Sequence, residues 1–218
     1  MRDSDIHRVW RLLKGQVRSF RVPWLEIMAA REKDPFKILI SCILSLRTQD
    51  KTTGIASGKL FALASRPEAM ASLSVNRIQR AIYPVGFYKV KAKTIKSLSK
   101  TITLHYGGAV PDSIEELLKL KGVGRKTANL VITLGFNKYG ICVDTHVHRV
   151  TNRWGYLRTK TPEETEFALR EKLPKKYWRE INGLLVAFGQ HICKPLSPFC
   201  TKCDLDKFCA RVNVTRHR

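Results

Sequence analysis

Apolar side chains recur along this chain at intervals of three and four, the spacing that lines one face of a helix. Ile6, Val9, Trp10, Leu13 and Val17 form such a stripe near the start, predicting an amphipathic helix. Asp34-Pro35 then supplies a helix start: an oxygen acceptor, followed by a residue without the N–H that a first turn leaves unpaired. The run behind it, Phe36 to Leu46, is apolar on almost all sides and predicts a central, buried helix. Its longest apolar stretch, Ile38 to Leu46, is nine residues including two serines, far below the roughly 20 that a bilayer-crossing helix needs. Pro111-Asp112-Ser113-Ile114-Glu115-Glu116 has the spacing of a capping box, Ser113 at the cap and Glu116 three residues on. Thr161-Pro162-Glu163-Glu164 repeats the device for a helix that must stop before Pro174. No run alternates long enough to define a strand, and no repeat of about 20 to 50 residues is found. The pattern predicts an all-α protein.

Composition adds a partner. The 218 residues are 44% apolar, enough for one good core or two small ones. Forty Lys and Arg against 18 Asp and Glu leave a formal charge of +22, which points to a polyanion. Between Glu68 and Asp112 no acid occurs, yet Arg77, Arg80, Lys89, Lys91, Lys93, Lys96 and Lys100 do. Lys89, Lys93, Lys96 and Lys100 share one helical face opposite Ile95, Leu98 and Ile102. A merely solvated face usually mixes signs, so this one favours phosphate binding. No bulky apolar face lies beside it to enter a membrane. The first residues, Met1-Arg2-Asp3-Ser4-Asp5, carry acids where a secretory or organellar signal has none, and an intracellular protein is expected.

The stretch from Leu117 to Asn129 joins the Ser113-capped helix to another through Lys121-Gly122-Val123-Gly124-Arg125-Lys126. Gly122 and Gly124 permit positive φ and close approach of another backbone, and the amides opening the next helix point outward unpaired. Such a turn suits a phosphate, and Lys121, Arg125 and Lys126 add charge where the helix dipole is already positive. Lys126 has two readings: a protonated phosphate clamp, or a nucleophile whose neutral form desolvation and nearby positive charge would favour. Eighteen residues on, Val143-Asp144-Thr145-His146-Val147-His148-Arg149-Val150 places an acid between apolar and polar groups. Asp144 is either a helix cap or a catalytic carboxylate. His146 and His148 have no third metal-ligating partner nearby and read as polar packing or DNA contacts.

Cys193, Cys200, Cys203 and Cys209 form C-x6-C-x2-C-x5-C within seventeen residues. In an intracellular protein such a quartet implies a metal rather than disulfides, as a four-thiolate zinc site or an iron–sulfur cluster. Cys42 and Cys142 lie in apolar surroundings and read as core.

The octapeptides Gly122 to Asn129 and Val143 to Val150, with the cysteine spacing, resemble the endonuclease III family of helix-hairpin-helix DNA glycosylases, over about residues 30 to 210. The resemblance implies two helical domains with a DNA groove between them. These are a six-helix barrel over 28–137, its helix-hairpin-helix at about 113–136, and a [4Fe-4S] cluster domain from 1–27 plus 138–218. It implies a monomer that removes oxidised or ring-broken pyrimidines from duplex DNA and also cleaves abasic sites. Lys126 would attack the sugar and Asp144 assist, with Cys193, Cys200, Cys203 and Cys209 holding the cluster. Gly122, Val123, Gly124, Arg125, Thr145 and Lys194 would contact DNA. Two loops would fill the hole left by a flipped nucleotide. Ser45 to Asp50 carries Arg47 where the family usually has Gln; Arg can fill the gap and donate hydrogen bonds to the orphaned base, with a pairing preference that need not match that of Gln. Gly86-Phe87-Tyr88 offers Phe87 as a wedge, or else as an ordinary turn aromatic packed on the barrel. Asp50 in isolation is a helix cap. The cluster loop, Lys194 to Phe199, has fewer bases than such a loop is expected to carry. Alternatives are a monofunctional mismatch, uracil or alkylated-base glycosylase, against which Lys126 argues, and a non-catalytic DNA-binding iron–sulfur protein.

Overall fold

The computed structural model describes residues 1–20 and 23–218. Its regular elements are helical throughout, with no strand among the described residues: α1 (Ile6–Val17), α2 (Trp24–Arg31), α3 (Pro35–Ser45), α4 (Asp50–Leu63), α5 (Pro67–Ser72), α6 (Val75–Ile82), α7 (Tyr88–His105), α8 (Ile114–Lys119), α9 (Arg125–Leu130), α10 (Thr145–Arg153), α11 (Pro162–Lys172) and α12 (Ile181–His191). Among the described residues no helix is long and apolar enough to cross a membrane. The chain divides into two compact units, Trp24–Gly140 and Met1–Pro23 with Ile141–Arg218.

In the Trp24–Gly140 unit α3 is the central helix. Asp34 accepts from the Phe36 and Lys37 amides at 2.9 and 3.1 Å and Pro35 opens the first turn. Phe36 and every residue from Ile38 to Leu44 are buried. Around α3 pack α2, α4, α7, α9 and the π-helical turn Val131–Gly135 that continues α9. The core stripe of α7, Ala92, Ile95, Leu98 and Ile102, is fully buried. The helix α2 was not visible in the hydrophobic pattern, because only Ala29 of its eight residues is fully buried. It is held instead by a polar tie, the Trp24 amide donating to the Asp50 carboxylate at 3.2 Å. Asp50 thus caps a neighbouring helix rather than its own, whose cap residue is Gln49.

Part of the basic stretch changes role. Lys89, Lys93 and Lys100 are exposed, as a phosphate-binding face requires. Lys96 is half-buried and donates to the Leu73 carbonyl just beyond α5 at 2.5 Å. Lys91, in the same acid-free stretch but outside that face, is buried.

In the other unit Ile6, Val9, Trp10 and Leu13 of α1 share a core with Val147 and Val150 of α10 and Leu185 and Phe188 of α12. The Trp10 indole donates to Glu180 at 2.9 Å. Thr161 caps α11 by accepting from the Glu164 amide, and the Glu164 carboxylate returns to the Lys160 amide. The reciprocal bond thus reaches one residue before the cap. At α8 only the Ser113 half of the box forms, since Glu116 turns to Tyr106 and Lys119.

Candidate active site

The hairpin between α8 and α9 uses its two glycines differently. Gly122 sits at φ +84°, and a Cβ there would come within 2.5 Å of the Thr94 methyl, so both conformation and space require glycine. Gly124, expected to share that conformation, has φ −100° and caps α9 with open space beside it. Nothing inside the chain demands glycine there; the absent side chain leaves room for an outside group. Val123 is buried and fixes the turn, while Arg125 begins α9.

Lys126 is the second residue of α9, exposed and without a hydrogen bond among the described residues. Its ammonium lies near the Cys42 thiol, which burial pushes up to about 12 and which Lys126 partly pulls back. In this structure its side chain stands in solvent.

Asp144, in the other unit, is the N-cap of α10. One carboxylate oxygen, Oδ1, accepts from the His146 and Val147 amides at 2.8 and 2.9 Å. The second oxygen has no partner among the described residues. Cap and available carboxylate therefore coexist in one side chain. Thr145 beside it is exposed. His146 and His148 are engaged in packing, with Arg149 at 3.1 Å and Thr165 at 2.6 Å respectively.

The same helix holds the cysteine segment. Arg149 donates to the Cys193 and Gly189 carbonyls, and Arg153 to the Lys194 and Pro195 carbonyls, at 2.6 to 3.2 Å. Arg153 also lies 3.6 Å from the Cys193 sulfur. Cys193, Cys200, Cys203 and Cys209 all line one cavity, walled by Trp154, Phe188 and Ile192. Burial pushes the Cys203 thiol up to about 12 and raises Cys200 and Cys209 as well, so ionised sulfur in this cavity needs a cation. Four thiols lining one cavity are a donor set suited to a thiolate-bound metal group, a single zinc ion or an iron–sulfur cluster.

The base-poor loop is reinforced from outside. Lys194, Lys202 and Arg218 all lie over the Phe199 ring, at 5.1, 5.8 and 4.1 Å. Arg218 is locked there by backbone bonds to Pro198 and Thr201. No local spacing signals that Arg218, nine positions beyond the last cysteine, returns to this loop.

The two expected hole-filling loops meet in the Trp24–Gly140 unit. Arg47 and Phe87 are exposed, Phe87 by 61%, so the reading of Phe87 as a packed turn aromatic is set aside. The Arg47 guanidinium lies 5.6 Å from the Phe87 ring centre. Beneath them sits Lys91, which sequence reasoning counted among the surface cations. A signal was present: Lys91 falls four residues before Ile95, on the stripe of Ile95, Leu98 and Ile102.

A helix-hairpin-helix with an accessible lysine and a four-thiol cavity define a class that comparison identifies. The profile described as HhH-GPD superfamily base excision DNA repair protein matches residues 40–175. Endonuclease III of Thermotoga maritima is 50% identical over 179 residues, 82% of this chain and 84% of that protein. Among solved structures, a trapped endonuclease III–DNA covalent intermediate in an estranged-adenine complex superposes with TM-score 0.86 at 30% identity, covering 97% of both chains. A thermostable thymine-DNA glycosylase gives 0.81 at 28%, covering 94% of this chain and 95% of that one. The chain belongs to the HhH-GPD superfamily and, within it, to the endonuclease III family.

Proposed function

We propose that this protein is a base-excision DNA glycosylase with abasic-site lyase activity, and that Lys126 and Asp144 carry the reaction. The observation that carries this reading is an exposed amine at position 126, without a hydrogen-bond partner among the described residues and directly behind the hairpin, in a chain 50% identical over 179 residues to an endonuclease III. Extrusion of the nucleotide, at a cost on the order of a few kcal/mol, brings the sugar to the amine and excludes water from it. Neutral Lys126 Nζ attacks C1′ as the bond to the base breaks and the base leaves with the bonding pair. The Asp144 carboxylate stabilises positive charge developing on the deoxyribose. The ring opens to a Schiff base between Nζ and C1′. Loss of a proton from C2′ then expels the 3′ phosphate, and water releases the amine.

Gly122, Val123, Gly124 and Arg125 are assigned to the DNA backbone, supported by the open space at Gly124. Thr145 and Lys194 are assigned there too, Lys194 with Lys202 and Arg218 around Phe199. Arg47 faces the orphaned base and Phe87 the stack, both being exposed at adjoining loop tips. Trp24–Gly140 serves as the hairpin-bearing barrel and the remainder as the cluster domain, in an intracellular monomer.

Cys193, Cys200, Cys203 and Cys209 would hold a [4Fe-4S] cluster, whose contribution is to pin the loop bearing Lys194. The purified protein is expected to be brown, with broad visible absorption and about four irons per chain. Colourless protein with stoichiometric zinc overturns the cluster.

The favoured substrate is an oxidised pyrimidine in duplex DNA. A panel of single-lesion duplexes tests it: release of oxidised or ring-broken pyrimidines is expected to outpace release from a T·G mismatch. The mismatch is included because of the thymine-DNA glycosylase fold match. Faster release from the mismatch moves the assignment there.

A further inference from the structure

We infer that Lys91 is a positioning residue for recognition of the base opposite the lesion: from inside the core it fixes the loop carrying Arg47 and, through Thr48, the turn carrying Phe87. The inference rests on the reading that Arg47 and Phe87 enter the duplex.

Lys91 is only 6% exposed, yet its ammonium has no carboxylate partner among the described residues. Its bonds go to neutral acceptors, the Leu44 carbonyl at 2.8 Å, the Leu46 carbonyl at 2.5 Å and the Thr48 hydroxyl at 3.2 Å. All three N–H groups are thereby used, on alternate residues from the last turn of α3 into the loop behind it. Burial lowers this amine to about 8, so at neutral pH it remains mostly protonated and able to donate all three. A charge buried without a counter-charge costs the fold stability, and an apolar side chain of similar length would fill the same space at less cost. Mere packing does not explain a lysine here.

The three bonds do explain one. Leu44 and Leu46 bracket the end of α3, and Arg47 follows at φ +53°. Left-handed backbone in a branchless-turn position costs about 1 kcal/mol or more in a non-glycine residue and persists only where neighbours impose it. Thr48 passes the constraint across: its hydroxyl receives the Gly86 amide at 3.2 Å. A Cβ on Gly86 would come within 2.6 Å of the Arg47 carbonyl, so the two loops interlock without space for relaxation. Phe87 then takes φ +58°, a second left-handed non-glycine residue, at the start of α7. Two strained, exposed tips thus share one buried anchor, which arises from the first turn of α7 itself.

The test is a double-mutant cycle in single-turnover release from one lesion placed opposite each of the four bases. Arg47→Ala alone is expected to change the ratio of rates among opposite bases by about fivefold or more. Lys91→Met is expected to compress the same ratio comparably and raise KM. It should leave borohydride trapping on an abasic oligonucleotide without a complementary strand within about twofold of wild type. In the Arg47→Ala background, Lys91→Met should change the ratio no further, since coupled residues are non-additive. No effect of Arg47→Ala refutes the loop reading and the inference with it. An effect of Arg47→Ala but none of Lys91→Met refutes the inference alone, as does an equal loss on single-stranded and duplex substrates. Should Lys91→Met fail to fold, Thr48→Val removes the link to Gly86 and is expected to compress the ratio in the same direction; an unchanged ratio there overturns the inference.

Discussion

Lys126→Gln is expected to yield no borohydride-trapped adduct on abasic duplex DNA and to nick it at least about a thousandfold more slowly, the scale on which loss of a nucleophile is felt. The substitution removes the amine assigned to form the Schiff base. Because Lys126 is exposed and its side chain makes no hydrogen bond among the described residues, the melting temperature should stay within about 2 °C of wild type. Lys126→Arg separates nucleophile from clamp. A guanidinium keeps the charge and can grip a phosphate, so a clamp survives the change, whereas a guanidinium does not become a neutral nucleophile. Duplex affinity and its dependence on salt should therefore be nearly preserved in Lys126→Arg while trapping vanishes. An arginine variant that still nicks at the wild-type rate would return Lys126 to the clamp reading. The exposure of the amine adds a corollary: trapping should depend on how well the nucleotide is extruded, since bound DNA must supply the desolvation that the free protein does not.

How much of this was legible in the sequence depends on which force places each residue. Burial is periodic, so α3 and α7 could be read from their apolar positions, and local capping is written in a few adjacent residues, so Asp34, Ser113 and Thr161 could be too. The helix α2 escaped because a polar tie to Asp50, 26 residues away, anchors it instead of an apolar stripe. Gly122 and Gly124 could not be told apart, because sequence does not separate a glycine that needs positive φ from one that leaves space beside the backbone. Lys91 was grouped with its neighbours by charge when its helical phase already placed it among Ile95 and Leu98. Arg218 could not be assigned at all, because backbone bonds to Pro198 and Thr201 bring it to Phe199 through a non-local pairing that no local spacing encodes. The four cysteines were the easiest, their sequence interval being short enough that one loop must gather them.

Asp144 is open to two readings that need not exclude each other, helix cap and catalytic carboxylate; the structure shows the cap, and a pair of substitutions tests the other. Oδ1 holds the first turn of α10 through two amides, and Oδ2 has no hydrogen-bond partner among the described residues. Asparagine presents the same carbonyl oxygen to the same amides and caps about as well as aspartate, but it has no negative charge to offer a developing cation. Asp144→Asn should therefore melt within about 2 °C of wild type while base release falls by about 10² to 10³, the scale on which a preorganised electrostatic group acts. Asp144→Ala removes cap and charge together. Loss of an N-cap costs roughly 1 kcal/mol, or about 2 to 4 °C in a chain of this size, and release should fall as far as in the asparagine variant. The cap loss should also reach the cysteine segment, because Arg149 and Arg153 of α10 hold the Cys193, Lys194 and Pro195 carbonyls. Visible absorbance would then bleach faster on warming in Asp144→Ala than in Asp144→Asn. If Asp144→Asn releases base at the wild-type rate, the carboxylate is a cap alone and the charge that stabilises the deoxyribose must come from another group. If both variants lose activity only in proportion to their lost stability, the same conclusion follows. A thousandfold loss in a protein that melts normally leaves the free oxygen of Asp144 as the source of that charge.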